Sequence, residues 1–166
     1  MCQYEDQLTV RSEVFLDGPA RLSRQAGDVS MASTIELLVY SGRPNPRVEL
    51  DAATEAELAR RVSALAPLGH PYAPDDRLGY RGLRVVGPPA SAIREVDVSA
   101  GGGVRVHERD GRTRDVADPD RALERWLLGL VGARVTATDR PLVEQILRQL
   151  DERQLLNDQG PAGRDG

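Results

Sequence analysis

Five polar residues, in two separate segments, are of types that together could bind an anion. A guanidinium beside an amide and a hydroxyl suits a carboxylate, a phosphate or a peptide backbone. A second guanidinium and a phenol follow further along the chain and could complete such a site. The candidate ligand-binding residues are Ser41, Arg43, Asn45, Tyr80 and Arg81.

The first three of these residues belong to the segment 41–46, Ser-Gly-Arg-Pro-Asn-Pro, which is conformationally restricted. Its two prolines have fixed φ angles and push Arg43 and Asn45 toward extended conformations, whereas Gly42 is free to adopt conformations closed to other residues. The segment therefore presents its polar side chains with little entropy left to lose on binding. Turn chemistry explains the same residue types without a ligand, with the Asn capping its own backbone and the Arg paired with an acidic neighbour. The sequence leaves both interpretations open.

A histidine and two carboxylates mark a second, catalytic alternative. His70 lies in a proline-rich loop just before Asp75 and Asp76, where an imidazole or a carboxylate could act as a general base. His107 alternates with valines on a strand and is expected to face solvent. Ser41 is not in a Gly-x-Ser-x-Gly elbow. We therefore assign no catalytic residue, and the balance is against an enzyme.

The composition excludes several kinds of chemistry. All 22 basic residues are Arg, as a GC-rich genome would produce, so a phosphate-binding lysine and a lysine Schiff base are excluded. One Cys and two His leave no intramolecular disulfide, thiolate zinc site or three-histidine site, and we expect no metal and no cofactor. The net charge of −4 is spread along the chain, which argues against nucleic acid. Without a membrane-spanning apolar run, we expect a soluble, cytoplasmic protein.

The elements that position these residues follow from periodicity and turn signals. We expect a mostly antiparallel sheet of about five or six strands packed against about three helices, two of them C-terminal, which is an α+β fold. The predicted strands are 34–40, 47–50, 80–86, 93–98, 104–108 and 112–116. The predicted helices are 51–65, 118–132 and one that begins at Thr138 or Asp139.

The chain is predicted to form a single domain over residues 31–156. Residues 1–30 are polar and weakly periodic, and we expect a flexible extension that could precede the true start at Met31. Residues 157–166 are expected to be a disordered tail.

Two segments resemble a family of small uncharacterised bacterial proteins. Tyr-Ser-Gly-Arg-Pro-Asn-Pro ends a predicted strand at residues 40–46, and Gly-Tyr-Arg-Gly follows at 79–82. The resemblance covers residues 33–135 and differs at Val48, where that pattern has an aromatic residue. It implies a fold-sized unit and no mechanism.

We therefore expect a non-catalytic binding or accessory module. It would use the 41–46 loop to hold an anionic small molecule or a partner peptide. The alternatives are an enzyme with an Arg-lined pocket and a His or carboxylate base, and a structural or dimerising domain whose last helix forms a homodimer seam.

Overall fold

A computed structural model describes residues 32–75 and 78–158, with side chains described as far as residue 155. Within them the chain forms one six-stranded sheet and three helices, and the predicted α+β class is confirmed. The strands are β1 (Ser33–Leu38), β2 (Arg47–Leu50), β3 (Gly82–Val86), β4 (Ile93–Ser99), β5 (Gly103–Glu108) and β6 (Thr113–Ala117). The helices are α1 (Ala52–Ser63), α2 (Ala122–Arg134) and α3 (Arg140–Asp158). The predicted N-terminal extension and most of the predicted tail lie outside the described residues.

The sheet is antiparallel throughout, with the strand order β2-β1-β3-β4-β5-β6. Side chains alternate between its two faces, and on β1 every second residue is buried. One face is apolar and belongs to the same core as the helices. The other face carries polar and charged side chains, and none of the three described helices packs on it. We call it the open face.

The three helices bury aliphatic stripes against the apolar face. Asp51 caps α1 by accepting a hydrogen bond from the Thr54 backbone N–H at 2.8 Å. Across the core, the helices contribute Leu58 and Val62 from α1, Leu123, Leu127, Leu128 and Val131 from α2, and Val143, Ile146 and Leu150 from α3. Among the described residues no helix has the length and apolar character needed to cross a membrane.

Most element boundaries differ from the sequence prediction by one or two residues, and the start of α2 differs by four. β3 begins at Gly82 rather than at position 80. Helix α2 begins at Ala122, although Asp118 followed by Pro119 predicts an earlier start. Arg121 adopts a left-handed conformation with φ 54° and ends a turn, so the regular helix starts after it. Asp118 remains a cap, because its carboxylate accepts the backbone N–H groups of Leu123 and Glu124.

The long connection between α1 and β3 brings residues from the helical side to the open face. At the edge of the sheet, Pro67 forms a bridge with Val116 of β6. Tyr72 then lies over the open face, where its backbone N–H donates to Asp115 Oδ2 at 3.3 Å. The connection thus covers part of β6 and β5 and forms one wall of the site described next.

Candidate functional site

A row of alternating charges crosses the open face of the sheet. Each strand contributes one residue, and consecutive members are direct partners in the antiparallel ladders. In sheet order from β2 to β6 the row is Arg47, Glu36, Arg84, Asp97, Arg105 and Asp115. We call these six residues the charge row.

Three contacts in the charge row are direct ion pairs. Arg47 lies 3.1 Å from Glu36, the Nε of Arg84 lies 2.8 Å from Oδ1 of Asp97, and Arg105 binds Asp115 with two hydrogen bonds of 2.8 and 2.9 Å. Arg105 lowers the pKa of Asp115 from its usual value, and Asp115 in turn raises the pKa of Arg105. Because these side chains remain partly exposed, each pair contributes about 0.2–1 kcal/mol. Alternation nevertheless lets six charges occupy one line without repulsion between neighbours.

A groove of about 370 Å³ lies on the open face between the charge row and the residues that follow Tyr72. Its lining combines guanidinium, imidazole, carboxylate and phenol groups with aliphatic surface from Leu38 and Pro74. We call it the open-face groove, and it is lined by Leu38, Tyr72, Pro74, Asp75, Arg81, Leu83, Arg84, Asp97, Val98, Arg105 and His107. A volume of this size holds a small organic ligand.

Arg81, one of the predicted site residues, lines this groove together with Arg84. Strand alternation predicts that the two arginines lie on opposite faces, and that prediction is wrong. The physical reason is Gly82, whose φ of 131° breaks the regular alternation between them. A Cβ at position 82 would overlap the carbonyl oxygen of Val98, so the backbone approach there requires glycine. Within residues 32–75 and 78–158, no acidic side chain pairs with the Arg81 guanidinium.

Tyr72 forms the aromatic wall of the open-face groove. The guanidinium of Arg105 lies 4.6 Å from the centre of the Tyr72 ring, a cation–π contact. Burial raises the pKa of Tyr72 to about 12, and the nearby carboxylate of Asp97 adds to the shift. Tyr72 is therefore a neutral hydrogen-bond donor at physiological pH.

The 41–46 loop joins β1 to β2 at the same end of the sheet as Arg81. The side-chain oxygen of Asn45 accepts the backbone N–H groups of Val39 and Tyr40 at 3.1 and 2.9 Å, and its amide donates to Glu36 at 3.0 Å. The guanidinium of Arg43 stacks 3.5 Å from the centre of the Tyr40 ring. Asn45 thus holds the loop in shape, whereas Ser41 and Arg43 are exposed.

The side chain of Tyr80 does not line the open-face groove with Arg81. It is part of a buried network beneath α2. Its hydroxyl donates to Glu124 at 2.6 Å, and Glu124 also receives Arg121 through two hydrogen bonds of 2.7 and 2.9 Å. Glu124 is fully buried, so this paired arrangement keeps its charge compensated. Burial raises the pKa of Tyr80 well above its usual value, and the Glu124 carboxylate adds to the shift.

The two histidines occupy different cavities. His70 lines a larger cavity of about 590 Å³, next to the 101–103 turn and Asp118, and Arg43 is not among the residues that line it. His107 lines the open-face groove with Arg81 and Asp75. Arg81 therefore shares a groove with His107 and not with His70.

Sequence reasoning missed Arg84, Asp97, Arg105 and His107 as members of one site. In four strands the charged residue of the row lies between two aliphatic residues, as in Val-Asp-Val at 96–98, which places it on the face opposite the core. That signal identifies the face. The opposite signs become adjacent only once the strand order is known.

The chain matches no protein-family model, no curated protein and no solved structure.

Proposed function

We propose that the chain is a non-catalytic binding module that holds an anionic small molecule in the open-face groove. The observation that carries the proposal is the position of Arg81. It lines the groove with two further arginines that are already paired, and it has no acidic partner among the described residues. An anionic group of the ligand supplies the missing partner.

The groove lining suits a ligand with an apolar part beside its anionic group. Leu38 and Pro74 offer aliphatic surface, and the Tyr72 ring offers an aromatic face. The Tyr72 hydroxyl stays protonated and can donate a hydrogen bond. A small carboxylate or phosphate ester satisfies these contacts together.

The 41–46 loop takes a supporting part in this proposal. It begins shortly after Leu38, which lines the groove, so its exposed Arg43 lies at the same end of the sheet. Asn45 acts by fixing the loop rather than by contacting the ligand, because its side-chain oxygen and amide are already engaged. We also propose that the chain belongs to the family of small bacterial proteins that carry the same loop and the Gly-Tyr-Arg-Gly segment.

The test measures binding of defined anions to the wild-type chain and to two arginine variants. Isothermal titration with inorganic phosphate, citrate and benzoate identifies the preferred group. Arg81→Ala is expected to weaken binding about tenfold to a hundredfold, as loss of one charged hydrogen bond does. Arg148→Ala removes the same charge from the exposed surface of α3 and should leave binding unchanged. Equal loss in both variants would show nonspecific charge attraction and overturn the proposal, as would capture of a peptide but of none of these anions.

A second candidate is an enzyme that uses the same groove. It is favoured by the position of His107, whose Nε2 lies 3.6 Å from Oδ2 of Asp97 beside Arg81. In that case His107→Gln retains ligand binding and abolishes turnover, whereas His70→Gln retains both. NMR spectra of each bound anion, recorded over time, distinguish the two functions. If the protein is instead a dimerising domain, sedimentation gives a dimer and no anion binds.

A further inference from the structure

We propose that Glu95, Asp97 and His107 form a binding site for a divalent transition-metal cation on the open face. The three residues come from the adjacent strands β4 and β5, where Glu95 and His107 are direct ladder partners. One ligand atom from each lies within 4.8 Å of the other two. One imidazole and two carboxylates are a donor set that suits zinc and its neighbours in the first transition series.

The separation of His107 from Asp97 fits two ligands of one ion better than it fits a hydrogen bond. His107 Nε2 and Asp97 Oδ2 are 3.6 Å apart, beyond the usual length of an N–H···O bond. Two ligands of a tetrahedral zinc ion, each bound at about 2.0–2.1 Å, are separated by about 3.4 Å. A small side-chain movement therefore brings His107 Nε2 and Asp97 Oδ2 to the separation of two zinc ligands.

The second ring nitrogen of His107 already has a partner of the kind that orients a metal ligand. Nδ1 lies 3.2 Å from the Thr113 hydroxyl, on the neighbouring strand β6. A ligating histidine usually engages a hydrogen-bonding group through its other nitrogen, and this fixes its ring orientation. Thr113 thus leaves Nε2 directed toward Asp97.

Arg84 is the competing cation, and its geometry is compatible with a bound metal. It binds Oδ1 of Asp97 at 2.8 Å and lies 3.4 Å from Oε1 of Glu95. Oδ2 of Asp97 faces His107 instead. Arg84 can therefore remain as an outer hydrogen-bonding partner of both carboxylates while the metal binds their other oxygens.

Three protein ligands leave at least one coordination position for water or another ligand. Asp97 and His107 also line the open-face groove, so a bound cation adds positive charge next to the proposed anion site. The metal proposal does not depend on the anion proposal. Glu95 is outside the groove lining, which allows the two to be tested separately.

The test is isothermal titration of the full chain with Zn²⁺, in a Cys2→Ser background that removes the single thiol. One site is expected. His107→Ala should lower the affinity by at least tenfold, and His70→Ala, which removes the other histidine from a different cavity, should leave it unchanged. Mg²⁺ should not compete, because imidazole favours transition metals. Equal loss in both histidine variants, or full affinity in His107→Ala, would overturn the site.

Two further variants keep the test decisive if His107→Ala does not fold. Glu95→Gln removes one ligand and should weaken zinc without affecting anion binding. Thr113→Val removes the hydroxyl at nearly constant shape and should lower zinc affinity about tenfold, as loss of such partners does. Circular dichroism and thermal unfolding without metal confirm that each variant is folded. Unchanged zinc affinity in both variants would exclude the site.

Discussion

Nε of Arg84 lies 2.8 Å from Oδ1 of Asp97 across the β3–β4 ladder, at the centre of the charge row. The pair shows how a six-stranded sheet can have one face on which none of the described helices packs. Each charged side chain of the charge row has an opposite charge on the next strand, so the charges of the row compensate one another. A polar face of this kind does not need to be buried.

Arg81 departs from this pairing, although it lies at the end of the same surface. The charge row neutralises Arg84 and Arg105, whereas Arg81 precedes β3 and is outside the row. Among the described residues, therefore, one guanidinium of the open-face groove lacks an acidic partner. Both proposals concern this region, with an anion at Arg81 and a cation at Glu95, Asp97 and His107.

Asn45 is predicted to stabilise the 41–46 loop more than Arg43 does. Replacing Asn45 with Ala leaves the backbone N–H groups of Val39 and Tyr40 without their acceptor, which should lower the free energy of unfolding by about 1–2 kcal/mol. Arg43→Ala removes an exposed side chain and should change it by less than about 0.5 kcal/mol. Urea denaturation measures both values. Comparable losses would mean that the stacking of Arg43 on Tyr40 stabilises the loop as much as the Asn45 cap does.

The 41–46 loop shows what can be predicted from residue types alone. Two prolines and a glycine predict a rigid segment at the end of β1, and the asparagine cap was one of two interpretations that the sequence allowed. The structure adds that Asn45 also donates to Glu36, a member of the charge row. That contact depends on the pairing of β1 with β2, and residue types do not encode the partner.

The sequence predicts the elements more completely than their arrangement. Local signals are sufficient for the Asp110-Gly111 hairpin turn, where Gly111 has φ 89°, and for the apolar stripes of the helices. Strand order is a nonlocal property. For that reason the charge row and the grouping of Arg81 with His107 could not be derived from periodicity.

Two unusual backbone conformations explain two of the errors in the sequence prediction. Gly82 breaks the alternation that was expected to separate Arg81 from Arg84. Arg121 adopts a left-handed conformation, held by its contacts to Glu124 and to the Ala100 carbonyl, and so delays the start of α2. Both conformations are stabilised by tertiary contacts that a single sequence does not reveal.

Gly82→Ala is predicted to be strongly destabilising. The new Cβ would overlap the Val98 carbonyl oxygen, and the φ of 131° is unfavourable for any L-residue with a side chain. We expect a loss of about 3 kcal/mol or more in the free energy of unfolding. Gly129→Ala is the matched control, because Gly129 is helical and has open space around its Cβ position. It should stabilise the protein by about 0.5–1 kcal/mol.

The measurement for the glycine pair is urea denaturation followed by circular dichroism. A small effect of Gly82→Ala would mean that β3 shifts away from Val98 at little cost. In that case the placement of Arg81 in the open-face groove would be adjustable as well, and the groove geometry would lose its support.

Tyr72 is predicted to make stability depend on pH in the alkaline range. Its pKa is about 12 in the folded chain, against the ordinary 10, because burial disfavours the phenolate. Below pH 10 the phenol is neutral in both states and its contribution to stability is fully present. Above pH 10 the unfolded chain loses this proton first, so the free energy of unfolding falls as the pH rises toward 12.

Tyr72→Phe keeps the ring over Arg105 and removes the titrating hydroxyl proton. The variant should match the wild type at neutral pH and lose stability less steeply above pH 10, as measured by urea unfolding at a series of pH values. Parallel curves for the two proteins would show that the Tyr72 hydroxyl is solvated, which would remove it as a neutral donor in the open-face groove.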